Sequence, residues 1–173
     1  GPEELTVIDP ACGSGHMLTY AFDLLYAMYE EEGRAPADIP GLILAHNLHG
    51  TEIDPRAGAL AAFALTMKAR AKQRTFFGKR VNPKICVIKP IALGDDDIEQ
   101  LADPGADQDM ERAFWRQFEH ADMFGALIRP DATQAEIAAK RVTELAERGD
   151  LFATISDLAA QIVEQAEYLA RKY

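Results

Sequence analysis

The sequence predicts an α/β fold built on a mostly parallel sheet, and three observations carry that prediction. Short, partly β-branched apolar runs alternate with longer stretches of helical periodicity through residues 1–94. Those runs are too uniformly apolar to face water on either side, the pattern of a parallel sheet covered by helices. A glycine-containing turn stands between the first run and the first helix.

The elements follow in order. Leu5 to Ile8 reads as a buried strand that stops at Asp9 and Pro10. Met17, Leu18, Ala21, Phe22, Leu24, Leu25 and Met28 recur at helical spacing until the Glu30 to Glu32 run and Gly33. Ala35 to Pro40, with two prolines, reads as a loop, and a short apolar segment, Leu42 to Ala45, precedes a second strand near Leu48 to Ile53. Asp54 then caps a helix with Pro55 at its first position and an alanine-rich body through Ala71. Lys84 to Ala92 supplies a third strand centred on Cys86, Val87 and Ile88. After Gly94 the chain turns helical, over Gln108 to Ala121, Gln134 to Glu147 and Leu151 to Tyr173, and the last carries an apolar stripe from Leu151 to Leu169 that needs a partner surface. The expected organisation is a sheet-bearing part over 1–94 and a helical extension over 95–173. A length of 173 residues, 48% of them apolar, suggests one compact unit.

No run approaches the roughly 20 apolar residues needed to span a bilayer, and the N-terminus lacks a secretory pattern, so a soluble, cytoplasmic protein is expected. Cys12 and Cys86 are too few for a disulfide framework and lack zinc-site spacing. The net charge of -10 argues against this chain as a whole gripping a phosphate backbone. Between Pro55 and Gly94, however, nine basic residues and no acid give +9, leaving -19 on the remainder. Lys68, Arg70, Lys72 and Arg74 suit a helix C-terminus, where cations are favoured; contact with DNA or a partner is the alternative.

The stretch richest in chemistry is Asp9-Pro10-Ala11-Cys12-Gly13-Ser14-Gly15, between the first strand and its helix. Small residues at a strand end let backbone approach a ligand closely, and free amides at the following helix's N-terminus can meet a carboxylate. Gly13-Ser14-Gly15 also opens the G-x-G-x-x-G pattern of dinucleotide-binding folds, but Leu18 stands where the third glycine belongs. In dinucleotide folds an acid follows about 20 residues after the glycine loop. Here the interval to the acid of the second strand, Glu52, is longer, because the Gly33 to Asn47 segment intervenes.

Asp9 to Gly15 resembles the first motif of the amino-methyltransferases that modify adenine in DNA. Asn47-Leu48-His49-Gly50-Thr51-Glu52-Ile53-Asp54-Pro55-Arg56-Ala57 is similar to the family's second motif. Within the family the resemblance is to the large PglX-type methyltransferases of BREX phage-defence systems and to fused, type IIG restriction-modification enzymes. Met28-Tyr29-Glu30-Glu31, Asp38-Ile39-Pro40 and Phe124-Gly125-Ala126-Leu127-Ile128 support it. It implies a Rossmann-like class I methyltransferase fold dependent on S-adenosyl-L-methionine, partial in this chain and joined to a helical extension. It also implies that Asp9, Pro10, Ala11, Cys12, Gly13 and Gly15 surround the methionine end of that cofactor, with Asp9 a direct or water-bridged partner of its ammonium. Glu52 would hold the ribose hydroxyls and Ile53 would press on the adenine ring. The implied activity is methyl transfer to the exocyclic N6 amine of adenine in DNA, with DNA and other defence-system subunits as partners and no membrane. Two alternatives stand beside it: a methyltransferase acting on another planar amine, in protein glutamine or RNA, and a non-catalytic cofactor-fold scaffold in a defence complex.

The family carries a further signature, Asn or Asp followed by Pro-Pro and an aromatic residue, at the end of its fourth strand. This sequence has no Pro-Pro, and Asn82-Pro83 precedes Lys84, where a strand starts, so it reads as a turn. No catalytic residue is assigned in this chain, and binding of cofactor without methyl transfer is expected, strand four lying beyond the last helix. His16, His46, His49 and His120 form no metal-ligand spacing, and no metal is assigned. Cys12 reads as a packing residue rather than a reactive thiol. Asp95 to Asp97 fits either the family's third-motif acid or a helix N-terminus. Phe114 and Trp115 read as core.

Overall fold

The computed structural model describes residues 1–103, 105–147 and 153–172. Where chain length suggested one compact unit, the chain divides into two, Gly1–Val87 and Ile88–Tyr173. A separate core in each accounts for the division, one around Phe22 and Tyr29 and one around Trp115 and Phe118.

The first unit holds a three-stranded parallel sheet in the order β1 (Val7–Asp9), β2 (Leu48–Glu52), β3 (Lys84–Val87). Val7 lies opposite Leu48 and Asp9 opposite Gly50, while His49 lies opposite Lys84 and Glu52 opposite Val87. Parallel strands place Asp9, Glu52 and Val87 at one end of the sheet, which therefore collects the loops leaving all three. Helix α1 (His16–Glu31) joins β1 to β2 and buries Leu18, Phe22, Leu25, Tyr26 and Tyr29, one face at helical spacing. Helix α3 (Pro55–Lys72) joins β2 to β3 and buries Gly58, Ala61, Leu65 and Ala69, whose small side chains bring its axis close to its neighbours. Both crossovers step in the same direction, and right-handed connections put both helices on one face of the sheet. An ion pair between Lys68 of α3 and Asp23 of α1 joins them there. Asp54 caps α3 as expected, its carboxylate accepting from the Arg56 amide at 2.8 Å.

Two stretches differ from the sequence reading. The segment following Ala35 is not all loop: Ile39–Leu42 forms a short helix, α2, and Ile43–Asn47 continues as a π-helical turn. Pro40 sits in the first turn, where a missing amide breaks no helical hydrogen bond. Strand β3 ends at Val87, not Ala92. The Lys89 amide is instead taken by the Gln165 side chain at 2.6 Å, Pro90 has no amide to offer, and Ile88 is buried in the core of the second unit.

Beneath β1 and β2 lies a buried polar knot. Tyr29 donates its hydroxyl to Asn47 Oδ1 at 3.0 Å, and Asn47 Nδ2 donates to the carbonyls of Pro2 and Leu5, each at 2.7 Å. The Asn47 amide thereby ties the chain before β1 to the chain before β2.

The second unit is helical: α4 (Asp95–Leu101), α5 (Gln108–Arg116), α6 (Ala121–Phe124), α7 (Ala132–Glu147) and α8 (Ala153–Lys172). The expected helix over Gln108 to Ala121 breaks into α5 and α6 around the buried Phe118, whose carbonyl accepts from the Ile91 and Ala121 amides. Helix α8 packs on α7, and Ile162, Val163, Ala166 and Leu169 enter the core, so its apolar stripe has its partner surface. Leu151, which the sequence reading placed at the start of that stripe, lies outside the described residues. Phe114 and Trp115 are core as read, and the Trp115 indole donates to the buried Glu111 carboxylate at 3.0 Å.

Candidate functional site

The site grows from the end of β1. After Asp9 the chain turns across the end of β2 and enters α1 through Gly15. Gly13 at φ +52° and Gly15 at φ +83° adopt left-handed backbone that other residues rarely accept. A Cβ on Gly15 would also come within 3.0 Å of Ala61 of α3, so the turn and the small face of α3 are fitted to each other.

The loop is held mostly by the last two residues of β2. The Thr51 hydroxyl donates to the Pro10 carbonyl at 2.7 Å, and the Thr51 carbonyl accepts from the Cys12 amide at 3.0 Å. Glu52 Oε2 accepts from the Gly13 amide at 2.7 Å, across 39 positions of sequence. Glu52 Oε1 accepts from the amides of Ile53 and Asp54 at 2.8 and 3.0 Å, which fixes the carboxylate above its own strand end. At the loop's start, Asp9 Oδ1 accepts from the Ala11 amide at 3.2 Å. The Gly15 amide donates to the Cys12 carbonyl at 2.8 Å.

The structure thus brings Asp9, Pro10, Ala11, Cys12, Gly13, Gly15 and Glu52 together at the carboxyl ends of two neighbouring parallel strands. Ile53 follows Glu52 directly and is 48% exposed, an apolar side chain facing solvent beside a carboxylate. Among the described residues, the helical hydrogen bonds of α1 begin with the Thr19 amide, on the Gly15 carbonyl at 2.8 Å. The amides of His16, Met17 and Leu18 therefore form the open N-terminal turn of a 16-residue helix, which favours an anionic group. Asp9 and Glu52 flank the loop, so the same end also offers acceptors to a cation or to hydroxyls.

Cys12 is buried in the loop. Burial, with the charges of Asp9 and Glu52 beside it, pushes its thiol up to about 11. At neutral pH it is a protonated packing group, as the sequence reading held. Sequence reasoning passed over Thr51. A threonine within a strand is ordinary, and nothing in its spacing marks a hydroxyl aimed at the preceding loop.

Most of the basic segment lies elsewhere, although Arg56 pairs with Asp54 just after β2 and Lys89 follows the end of β3. The C-terminal end of α3, the turn Phe76–Lys79 and the start of β3 belong to the opposite end of the sheet from Glu52. Several of its cations are engaged within the unit: Lys68 with Asp23, Lys79 with Asp38 and the Ala37 carbonyl, and Lys84 with the Ala45 carbonyl. Lys72 sits 4.2 Å from the centre of the Tyr26 ring. Asp95, Asp96 and Asp97 open α4, where the Asp97 carboxylate accepts from the Gly94 amide at 3.1 Å. Among the described residues, no helix is long and apolar enough to cross a membrane, and no cluster of three candidate metal ligands occurs.

No family model matches the chain. Among proteins of known name, it is 34% identical to an adenine-specific methyltransferase, BrxX, of Escherichia coli, over 201 aligned positions that cover 99% of this chain and 16% of that protein. It is 41% identical to an adenine-specific methyltransferase, PglX, of Lacticaseibacillus casei over 91 positions, 53% of this chain and 8% of that protein. A PglX of Streptomyces coelicolor is 40% identical over 73 positions, 41% of this chain and 6% of that protein. The chain thus spans about one sixth, or less, of the length of the relatives it matches.

Proposed function

From the premise that the chain is homologous to part of the BREX-type adenine-specific methyltransferases, we propose that Gly1–Val87 binds S-adenosyl-L-methionine for transfer of a methyl group to the N6 amine of adenine in DNA. On this reading the sheet is the first half of a Rossmann-like class I methyltransferase fold, and the setting is phage defence. The observation that supports the reading is the hydrogen bond from the Gly13 amide to Glu52, which sets the glycine loop and the strand-end acid side by side at the carboxyl end of the sheet.

The residues fit the cofactor. The open amides of His16, Met17 and Leu18 receive its carboxylate, and Asp9 receives its ammonium. A carboxylate has about four acceptor positions, and the three backbone amides on Glu52 leave capacity on Oε2 for a ribose hydroxyl. Ile53 supplies apolar surface for the adenine ring. When bound, the cofactor supplies an electrophilic methyl on a sulfonium. The residues named here hold and orient it, and they exchange no proton with the substrate.

No residue of this chain is assigned to the target adenine of DNA. The base must be flipped from the duplex, stacked on an aromatic side chain and held by acceptors in line with the methyl group, and the Pro-Pro signature for that work is absent from the 173 residues. On this reading DNA is bound mainly by regions that the relatives have beyond the part matched here, and other defence-system subunits are further partners. A ligand panel tests the reading by thermal shift. S-adenosylmethionine and its demethylated product should raise the melting temperature, NAD should not, and the chain alone should add no methyl group to adenine-containing DNA. Stabilisation by NAD alone, or methylation by this chain, contradicts it.

A further inference from the structure

The residue that shapes the loop most directly is one to which the proposed function assigns no ligand contact. Thr51 is fully buried, and it grips the loop at two points, through its hydroxyl on Pro10 and its carbonyl on Cys12. The two points straddle Ala11, whose own amide is turned back onto Asp9. The hydroxyl contact ties the loop's first half to β2, and Glu52 ties the second half at Gly13.

We propose that Thr51 is a positioning residue: its hydroxyl, on the Pro10 carbonyl, holds the loop in the shape that receives the cofactor's methionine end. The chemistry asks for this residue type. A buried hydroxyl must find an acceptor, and a β-branched side chain suits the strand, so threonine serves both the sheet and the loop. Valine would keep the shape, the strand preference and the Cys12 amide bond while leaving the Pro10 carbonyl without its donor. The proposal rests on the cofactor reading above, and the two are separated by a readout that needs no cofactor. Cys12 sits inside the gripped loop, buried and protonated at neutral pH, so a slackened loop exposes it to thiol reagents.

The test compares the wild-type chain with Thr51→Val and Thr51→Ser. Alkylation at Cys12 is read by mass spectrometry, so that Cys86 is scored separately, and S-adenosylmethionine affinity is read by calorimetry well below the melting temperature. Thr51→Val should label Cys12 several-fold faster and bind cofactor about five- to tenfold more weakly, and Thr51→Ser, which keeps the hydroxyl, should restore both. Unchanged cofactor affinity in Thr51→Val, whatever its melting temperature, overturns the positioning role. Failure of Thr51→Ser to recover affinity overturns the assignment to the hydroxyl. If the wild-type chain binds no S-adenosylmethionine, the cofactor role of Thr51 falls with the cofactor reading. Faster labelling of Cys12 in Thr51→Val then still supports the grip on the loop, and unchanged labelling overturns that as well.

Discussion

Glu52 shows how much one side chain does at this strand end. Both of its oxygens accept from backbone amides, so its chemistry is that of a carboxylate specifically. A glutamine there presents an NH2 to a backbone N–H whichever way it turns, donor against donor. Glu52→Gln should therefore lose about 1–2 kcal/mol of stability in urea titrations, close to the loss in Glu52→Ala; a glutamine variant as stable as wild type would show that the amide contacts contribute little. Cys12 gives a pH dependence. Its folded thiol titrates near 11 against 9.0 for the ordinary group, so the folded state holds the proton more tightly. The stability linked to that proton is complete below about pH 9 and lost as pH rises through about 11. The difference in urea midpoint between wild type and Cys12→Ala should shrink across that window, and a constant difference would mean that the thiol is not so perturbed. At this scale the sequence was most legible. Asp9 to Gly15 stands out by residue type at an element boundary and Glu52 by its place in the second motif of the family that the sequence resembles, whereas the side-chain bonds of Thr51 and Asn47 depend on which strands become neighbours and have no local pattern.

At the scale of elements, β1, its loop, α1 and β2 form the working assembly, and the knot around Asn47 anchors it from below. Removing that amide leaves the Pro2 and Leu5 carbonyls and the Tyr29 hydroxyl without their partner in a buried setting. Asn47→Leu should cost about 2–4 kcal/mol, read as a lower urea midpoint. Asn47→Asp, which keeps the acceptor for Tyr29 but loses both donors, should be no better. An Asn47→Leu variant as stable as wild type would mean that water takes over those bonds. The alternation of strand and helix was readable because apolar period and the Asp54-Pro55 cap are local signals. Two boundaries were not. Pro40 looks like a breaker until it is seen in a first turn, and β3 ends early because Lys89 finds a side-chain partner far along the chain. The placement of most of the basic segment at the opposite end of the sheet was also beyond the sequence, since it follows from all three strands running parallel.

On the scale of the whole molecule, charge is divided unequally. Gly1–Val87 has 9 basic and 10 acidic residues, net -1, while Ile88–Tyr173 has 9 and 18, net -9. Phosphate binding draws on unneutralised cations, and in the first unit several are already engaged with acids, carbonyls or rings. This chain alone should show no saturable binding to duplex DNA by fluorescence anisotropy at about 0.15 M salt. Tight binding there would place a DNA surface within these residues. The length reading favoured one compact unit because half the residues are apolar; it had no means of seeing that the apolar residues after Val87 gather around Trp115 in a core of their own. The central claim is that the glycine loop and Glu52 hold one sulfonium nucleoside between them. Calorimetric titration of S-adenosylmethionine into the wild-type chain and Glu52→Ala, each checked for native secondary structure, tests it most directly. The account predicts saturable binding by the wild type and at least tenfold weaker binding by the variant, and equal affinity in the two would contradict it.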